Sequence, residues 1–273
     1  MPGMRPRHTL LLMSLRNRII VLGGQGLGLR VAKAIQQEGR AEVCVLRPSR
    51  SSTGSVQDGE LSSFCRTNNI ALRQGGMDAL AREVDERDAD LVVVTGWYHV
   101  IPPELLRKPS FGFVGIHHSL LPKFRGGAPL VWALIAGESR VGSSLFALTN
   151  EMDSGPLLWQ WFEDCTPQDT IATLRHRIEE RIEKEIGTLV SQFISGGLVG
   201  RPQDSHGVSY SPMRTPEDSL VDWTCSSEVL SRMERALSPL YTPLFCRNGS
   251  AEFALVDVRP SPDDCFGRAG VVL

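Results

Sequence analysis

A histidine pair, His117-His118, closes an apolar run and opens the segment Ser119-Leu120-Leu121-Pro122-Lys123-Phe124-Arg125-Gly126-Gly127-Ala128-Pro129. Further along, Glu151-Met152-Asp153-Ser154-Gly155 sets a carboxylate beside a glycine. Imidazole titrates near neutrality and a carboxylate nearby raises its pKa, so His117 with Asp153 has the makings of a general acid–base pair. Alternation along a strand puts Gly115 and His117 on one face, with Ile116 and His118 on the other. His117 is therefore the residue for a cleft, while His118 points into the protein or toward a neighbouring loop. The same alternation argues against a metal held between the two, and none of the six histidines and six cysteines shows metal-ligand spacing. No metal is expected. The loop over residues 120–129 carries two prolines and a Gly-Gly pair, which suits a wall facing a ligand better than a minimal connection.

These groups need a frame, and the hydrophobic pattern supplies one. Ile19-Ile20-Val21-Leu22 reads as a buried strand, followed by a Gly23-Gly24-Gln25-Gly26 turn, a helical pattern and a second strand over residues 42–46. Residues 47–59 read as a serine-rich loop, with helical patterns around 60–68 and 78–87. Residues 90–94, 111–117 and 142–148 are further strand candidates, the first nearly all apolar as in a parallel sheet covered on both faces. A helix is predicted over residues 169–193, from Ile171, Leu174, Ile178, Ile182, Ile186, Leu189 and Phe193 at spacings of three and four. Thr166-Pro167 is read as its N-cap and first-turn proline, and Gly196-Gly197 as its stop. The predicted architecture is α/β: a Rossmann-like open, mostly parallel twisted sheet with helices on both faces, plus a small C-terminal module. The divisions are a leader at 1–18, a catalytic domain at 19–199, a linker at 200–216 and the module at 217–273.

Gly24-Gln25-Gly26-Leu27-Gly28-Leu29 invites a dinucleotide reading, but the sixth position is leucine where glycine or alanine is required. The second strand also ends in Leu46-Arg47-Pro48 without an acidic residue. A tight structural turn is the favoured reading, and an oxidoreductase is disfavoured.

The 273 residues carry 29 basic and 31 acidic side chains, so no chain-wide field favours nucleic acid, and a small-molecule partner is expected. Scattered cysteines without a C-x-x-C pair fit reduced thiols and a cytoplasmic setting. The run Thr9 to Leu15 is short, lacks a small-residue cleavage site and is followed by Arg16 and Arg18. It reads as a disordered leader, or as preceding a start at Met4 or Met13, rather than as an export signal. No stretch reaches the ~20 apolar residues of a membrane helix.

The segments His117-x-Ser119-Leu120-Leu121-Pro122, Arg125-Gly126-Gly127-Ala128-Pro129 and Leu148-Thr149-Asn150-Glu151-Met152-Asp153-Ser154-Gly155-Pro156 together resemble the 10-formyltetrahydrofolate-dependent formyltransferase family. The likeness covers residues 19 to about 198, with a weaker echo through residues 210–245. It implies transfer of a formyl group from 10-formyltetrahydrofolate, as co-substrate, to an amine. The amine attacks the formyl carbon, and a tetrahedral oxyanion forms and collapses as the folate nitrogen leaves. By the resemblance, His117 hydrogen-bonds that oxyanion or shuttles protons, and Asp153 orients it. The pterin would lie between the loop carrying Trp97, Tyr98, His99, Val100 and Ile101 and the loop carrying Ala147, Leu148, Thr149, Asn150 and Glu151. Val100 and Ile101 would pack on its ring. Ser119, Lys123, Arg125, Gly126 and Trp132 fall on motif positions implied to face the acceptor.

One position departs from the family. The pattern is Asn-x-His, and the residue two before His117 is Gly115. Loss of one oxyanion donor costs about 10² to 10³ in rate. Three explanations stay open: another donor such as His99 or a water in the vacated space, hydrolysis of the formyl folate in place of transfer, or binding without catalysis.

Family members formylate methionyl-tRNA, glycinamide ribonucleotide or nucleotide-linked amino sugars. The tail from residue 217 onward has more acidic than basic residues and is short, which disfavours a tRNA. The segment 128–133 is more similar to the sugar-modifying members. The expected reaction is N-formylation of a small-molecule amine, led by a nucleotide-linked amino sugar. The alternatives are a methionyl-tRNA formyltransferase, a formyltetrahydrofolate hydrolase or a non-catalytic folate-binding protein. The C-terminal module is a candidate homodimer surface.

Overall fold

The computed structural model describes residues 16–49 and 56–261. Most of the leader, the middle of the serine-rich loop and the end of the C-terminal module lie outside the described residues. Seven strands form one sheet in the order β3-β2-β1-β4-β5-β7-β8. They are β1 (Asn17–Leu22), β2 (Ala41–Pro48), β3 (Ala71–Gly75), β4 (Leu91–Thr95), β5 (Phe113–His117), β7 (Arg140–Ala147) and β8 (Leu157–Asp164). The first five pair in parallel, while β5–β7 and β7–β8 are antiparallel. The sheet is therefore a mostly parallel, Rossmann-like one.

The parallel part is apolar because helices cover both faces. All five residues of β4 are buried, as are Ile19 to Leu22 of β1. One face packs α1 (Gln25–Gln37), α5 (Pro129–Ala136), α6 (Ile171–Ile194) and α7 (Ser227–Leu237) into a single core with Val21, Val93 and Val114. The other face packs α3 (Met77–Arg87) and α4 (Pro103–Leu106) around Leu22, Val92 and Phe113. The α2 helix spans Val56–Thr67. A Cβ on Gly23 would overlap Thr95, and one on Gly28 would stand 3.0 Å from the Gly23 carbonyl carbon. The glycines of the first turn thus let α1 close onto β1 and β4.

Helix α6 starts later than the sequence suggested. Its N-cap is Thr170, in a reciprocal box with Thr173, and not Thr166. The cause is Asp169. Its carboxylate accepts the Thr166 amide and hydroxyl, both at 2.9 Å, and makes a separate turn of residues 166–169. Two strands also escaped the sequence pattern. Edge strand β3 reads ALRQG, with neither alternation nor an apolar run, and β8 mixes buried leucines with half-buried aromatic residues.

Two short strands, β6 (Arg125–Gly126) and β9 (Tyr210–Ser211), pair in parallel away from the main sheet. The chain ends with a 3-10 turn (Pro216–Ser219), α7 and the hairpin of β10 (Phe245–Asn248) and β11 (Ala251–Ala254). Val221, Leu230, Leu237 and Leu244 belong to the same core as the sheet.

Candidate active site

His117 is the last residue of β5, at the carboxyl edge of the parallel strands, where open α/β sheets place their ligands. Its ring is about nine-tenths buried and meets the Phe146 ring edge-on at 6.4 Å. Nε2 lies 2.8 Å from the Phe124 carbonyl oxygen. A carbonyl can only accept, so Nε2 carries a hydrogen and donates it. Nδ1 is the nitrogen left for chemistry, and it faces Asp153 Oδ2 at 3.6 Å. That same oxygen accepts the Gly126 amide at 2.8 Å. The structure thus brings together the two residues that the sequence paired.

Backbone strain fixes both partners. Phe124 and Asp153 are non-glycine residues with φ of 56° and 46°. Each such conformation costs of order 1–3 kcal/mol and persists only where surroundings enforce it. For Phe124 those surroundings are Ser209, whose hydroxyl accepts the Phe124 amide at 2.9 Å, and Ser211, whose hydroxyl reaches the Phe124 carbonyl at 3.3 Å. For Asp153 they are Gln203. Its Nε2 donates to the Asp153 carbonyl at 2.7 Å and the Gly155 carbonyl at 2.8 Å, while its Oε1 accepts from Arg125 at 2.7 and 3.3 Å. These three residues lie in the stretch read as a linker, and nothing in their spacing marks them. Ser143 and Ser144 were missed too. Both are fully buried in β7, where they hold the His117 carbonyl at 3.0 Å and the Ser119 carbonyl at 2.7 Å. A polar pair inside an apolar strand was the signal available for these.

Several expected contact residues take framework positions. Ser119 is buried and gives its hydroxyl to the Lys123 carbonyl at 2.7 Å. Arg125 is buried and its guanidinium is committed to Gln203. Both side chains thus help to shape the loop, with the Ser119 hydroxyl hydrogen and two of the three Arg125 guanidinium nitrogens engaged within the protein. Lys123 pairs with Glu138 at 2.8 Å on the surface. Trp132 donates to the Pro212 carbonyl at 2.9 Å, beside a recess of about 230 Å³ lined also by Phe124, Tyr210 and Pro212. The Gly126 amide belongs to Asp153, as described above.

Gly115 has its own explanation. A Cβ there would stand 2.7 Å from Leu148 Cδ1 and 3.0 Å from the Phe146 ring. Side chains fill the space that an asparagine would take, which corrects the expectation of room for a water there. On the loop after β4, Trp97 leaves its buried Nε1 without a partner and meets His99 edge-on at 5.3 Å. Tyr98 and Val100 stand 75% and 79% exposed, and Ile101 is buried. On the facing loop Met152 is 57% exposed, with Thr149 bonded to Ser154 at 3.1 Å. Two loops with uncovered apolar groups and one unpaired buried donor therefore flank the His117–Asp153 pair. Among the described residues no cluster could hold a metal ion, and no helix is long and apolar enough to cross a membrane.

A family model described as formyl transferase matches residues 17–190, from β1 into α6. The chain belongs to the formyl transferase family. Methionyl-tRNA formyltransferase from Thermus thermophilus is 30% identical over 243 residues, covering 89% of this chain and 76% of that protein. The enzyme of the same name from Fusobacterium nucleatum is 28% identical over 193 residues, covering 70% and 62%. Across such relatives the match spans from 45% to 76% of their length. A solved formyltransferase structure from Helicobacter canadensis, in complex with folinic acid and dTDP-3-aminofucose, superposes with a TM-score of 0.65 at 16% identity, covering 81% of this chain and 80% of that one. At that identity it attests the formyltransferase fold. The matched segment holds His117 and Asp153 and ends within α6, so Gln203, Ser209 and Ser211 lie beyond it.

Proposed function

We propose that this chain transfers a formyl group from 10-formyltetrahydrofolate to the amine of a small molecule, with a nucleotide-linked amino sugar as the leading acceptor. The observation that carries the reading is the His117 ring, tied by Nε2 to the Phe124 carbonyl with Nδ1 turned to Asp153. The co-substrate supplies a formyl carbon. Its bond to the folate nitrogen breaks as a bond to the amine forms, and one proton passes from the amine to the leaving nitrogen. Nδ1 is the group that takes and returns that proton. While it holds the proton, the ring is cationic and its Nδ1–H can bond the developing oxyanion, with the Asp153 carboxylate balancing the charge. The Gly126 amide keeps the carboxylate in place for both stages. The uncovered Val100 and the unpaired Trp97 Nε1 fit the binding of a flat, polar-edged ring beside the pair. The acidic tail supports a small acceptor over a tRNA, although the curated relatives bear the name of the tRNA enzyme. We place the activity in the cytoplasm.

One observation favours a second reading, hydrolysis of the formyl folate. Leu148 and Phe146 occupy the place of a side-chain oxyanion donor, which leaves His117 as the charged donor and lowers the power of the site. Release of tetrahydrofolate from 10-formyltetrahydrofolate, with and without a panel of amines, separates the two. Transfer predicts release that depends on an amine and drops about 10² to 10⁴-fold in His117→Ala. Release without any amine would establish the hydrolase, and no release from the wild type would end both readings.

A further inference from the structure

Gly115 and Phe146 stand opposite each other in the register of β5 and β7, as do His117 and Ser144. Because position 115 has no side chain, Phe146 and Leu148 close over it. A Cβ there would stand 2.7 Å from Leu148 Cδ1, and 3.0 and 3.2 Å from Cε1 and Cζ of Phe146. Phe146 groups with Leu121, from the loop after β5, and with Leu157 of β8 in a small apolar cluster, and Leu148 packs against it. This cluster meets the His117 ring through the edge-on Phe146. The polar groups beside it are spent. A hydroxyl has one hydrogen to give and two lone pairs to accept with. Ser144 gives its hydrogen to the Ser119 carbonyl and accepts from the Leu121 amide at 3.2 Å and Gln160 Nε2 at 2.9 Å. His117 Nε2 is taken by the Phe124 carbonyl. A buried water needs about two to four polar partners, and neither Ser144 nor Nε2 has a place left for one.

We propose that Phe146 and Leu148 are specificity-determining residues, a dry wall beside His117 that selects an amine over water as the nucleophile. The inference rests on the transferase reading above. The wall stands where a second donor to the oxyanion would stand, and it admits no water in that donor's stead, so the oxyanion is left to Nδ1–H of His117. To donate, the ring must hold its Nδ1 proton before the new bond to the formyl carbon forms. A ring so loaded cannot take a proton from the nucleophile in the same step. A neutral amine needs no such help. Its lone pair forms the C–N bond, the carbonyl pair moves onto oxygen, and the amine nitrogen takes the positive charge. The oxyanion pair then re-forms the carbonyl as the bond to the folate nitrogen breaks. Nδ1 gives its proton to that nitrogen and takes one from the amine, so a single proton passes from amine to folate. Water adds to a formamide carbon only while it surrenders a proton to a base, and here the base is already occupied. The lost donor weakens the site toward either nucleophile; the placement of the proton separates them.

Position 148 provides the test, because leucine and asparagine have nearly the same shape. Leu148→Asn sets an amide against Gly115 where Cδ1 now lies, while Leu148→Met keeps the wall apolar at similar volume. The readout is the ratio of free formate to formylated amine in one reaction of the full chain with 10-formyltetrahydrofolate and an amine. Wild type and Leu148→Met are expected to give little formate, and Leu148→Asn to raise the ratio about tenfold or more. A merely structural role would lower both products together and leave the ratio unchanged, and that result would overturn the proposal. So would an equal rise in Leu148→Met, or formate released freely by the wild type. Phe146→Tyr, which adds a hydroxyl at the ring carbon nearest the Leu148→Asn amide's intended place, serves as a second variant if Leu148→Asn does not fold. If no amine is formylated, the transferase reading fails, and the wall is judged without turnover. Magnetisation transfer from water to the His117 ring protons, in histidine-labelled protein, should then be absent in the wild type and present in Leu148→Asn. Its presence in the wild type would show a wet wall and end the proposal.

Discussion

At the residue scale, the catalytic role proposed for His117 turns on which ring nitrogen is occupied. Phe124 takes the Nε2 hydrogen, so exchange falls to Nδ1, and the asparagine absent from the pattern has been replaced by apolar packing. Restoring it with Gly115→Asn alone is expected to cost about 1–3 kcal/mol by overpacking against Leu148 and Phe146. Combining it with Leu148→Ala should recover most of that loss. Urea melts of the single and double variants check this, and equal stability of both would show that the space is larger than the contacts indicate. His118 gives a pH prediction. Burial first, then the charges of Arg175 and His117, push its pKa down to about 3. The unfolded chain binds a proton near the usual value of about 6.5 while the folded chain resists it, so this contribution is full above that pH and is lost as pH falls from there toward 3. Wild type should lose up to about 1.4 kcal/mol per pH unit relative to His118→Asn over that window. Parallel stability curves for the two proteins would refute the assignment.

At the element scale, the site depends on a clamp between distant loops. Gln203 holds the turn of Asp153 by two carbonyls and is itself held by Arg125. Gln203→Ala removes donors from two carbonyls and orphans a buried guanidinium, a loss of about 1–3 kcal/mol for the groups left unsatisfied. Because the strained Asp153 turn relaxes first, kcat should fall more than tetrahydrofolate affinity, and Gln203→Glu, which keeps a partner for Arg125, should not rescue the carbonyl bonds. Steady-state kinetics beside a tetrahydrofolate titration read the difference. A fall in affinity with kcat preserved would assign Gln203 to binding instead. Sequence periodicity revealed β1, β2, β4, β5, β7 and α6, because each has an apolar run or stripe to bury. It also revealed the His117–Asp153 pair, because imidazole, carboxylate and glycine-bounded loops carry their chemistry in their residue types. Gln203, Ser209 and Ser211 were illegible for the converse reason. Each acts through hydrogen bonds to backbone far away in the chain, and such bonds leave no period and no composition behind.

At the scale of the whole molecule, one hydrophobic core joins the sheet to the C-terminal segment. Leu230, Leu237 and Leu244 each bury nearly their whole side chain against it, worth about 1.5–3 kcal/mol apiece. Their sum is comparable with the 5–15 kcal/mol that separates folded from unfolded states in ordinary proteins. Truncation after residue 216 is therefore expected to abolish cooperative unfolding or to lower the melting temperature steeply, as thermal melts would show. Unchanged melting would demonstrate an independent catalytic unit.

The pairing of β6 with β9 also bears on the order of events during synthesis. The last strand of the main sheet ends at Asp164, but Phe124 receives its Ser209 and Ser211 contacts only after a further long helix has left the ribosome. A nascent chain thus passes through a stage, lasting seconds at ordinary translation rates, in which every strand of the main sheet has been made and the histidine is unaimed. The strands are made first and the aim of the histidine last, so that a chain cut short in translation carries His117 and Asp153 without the contacts that set them.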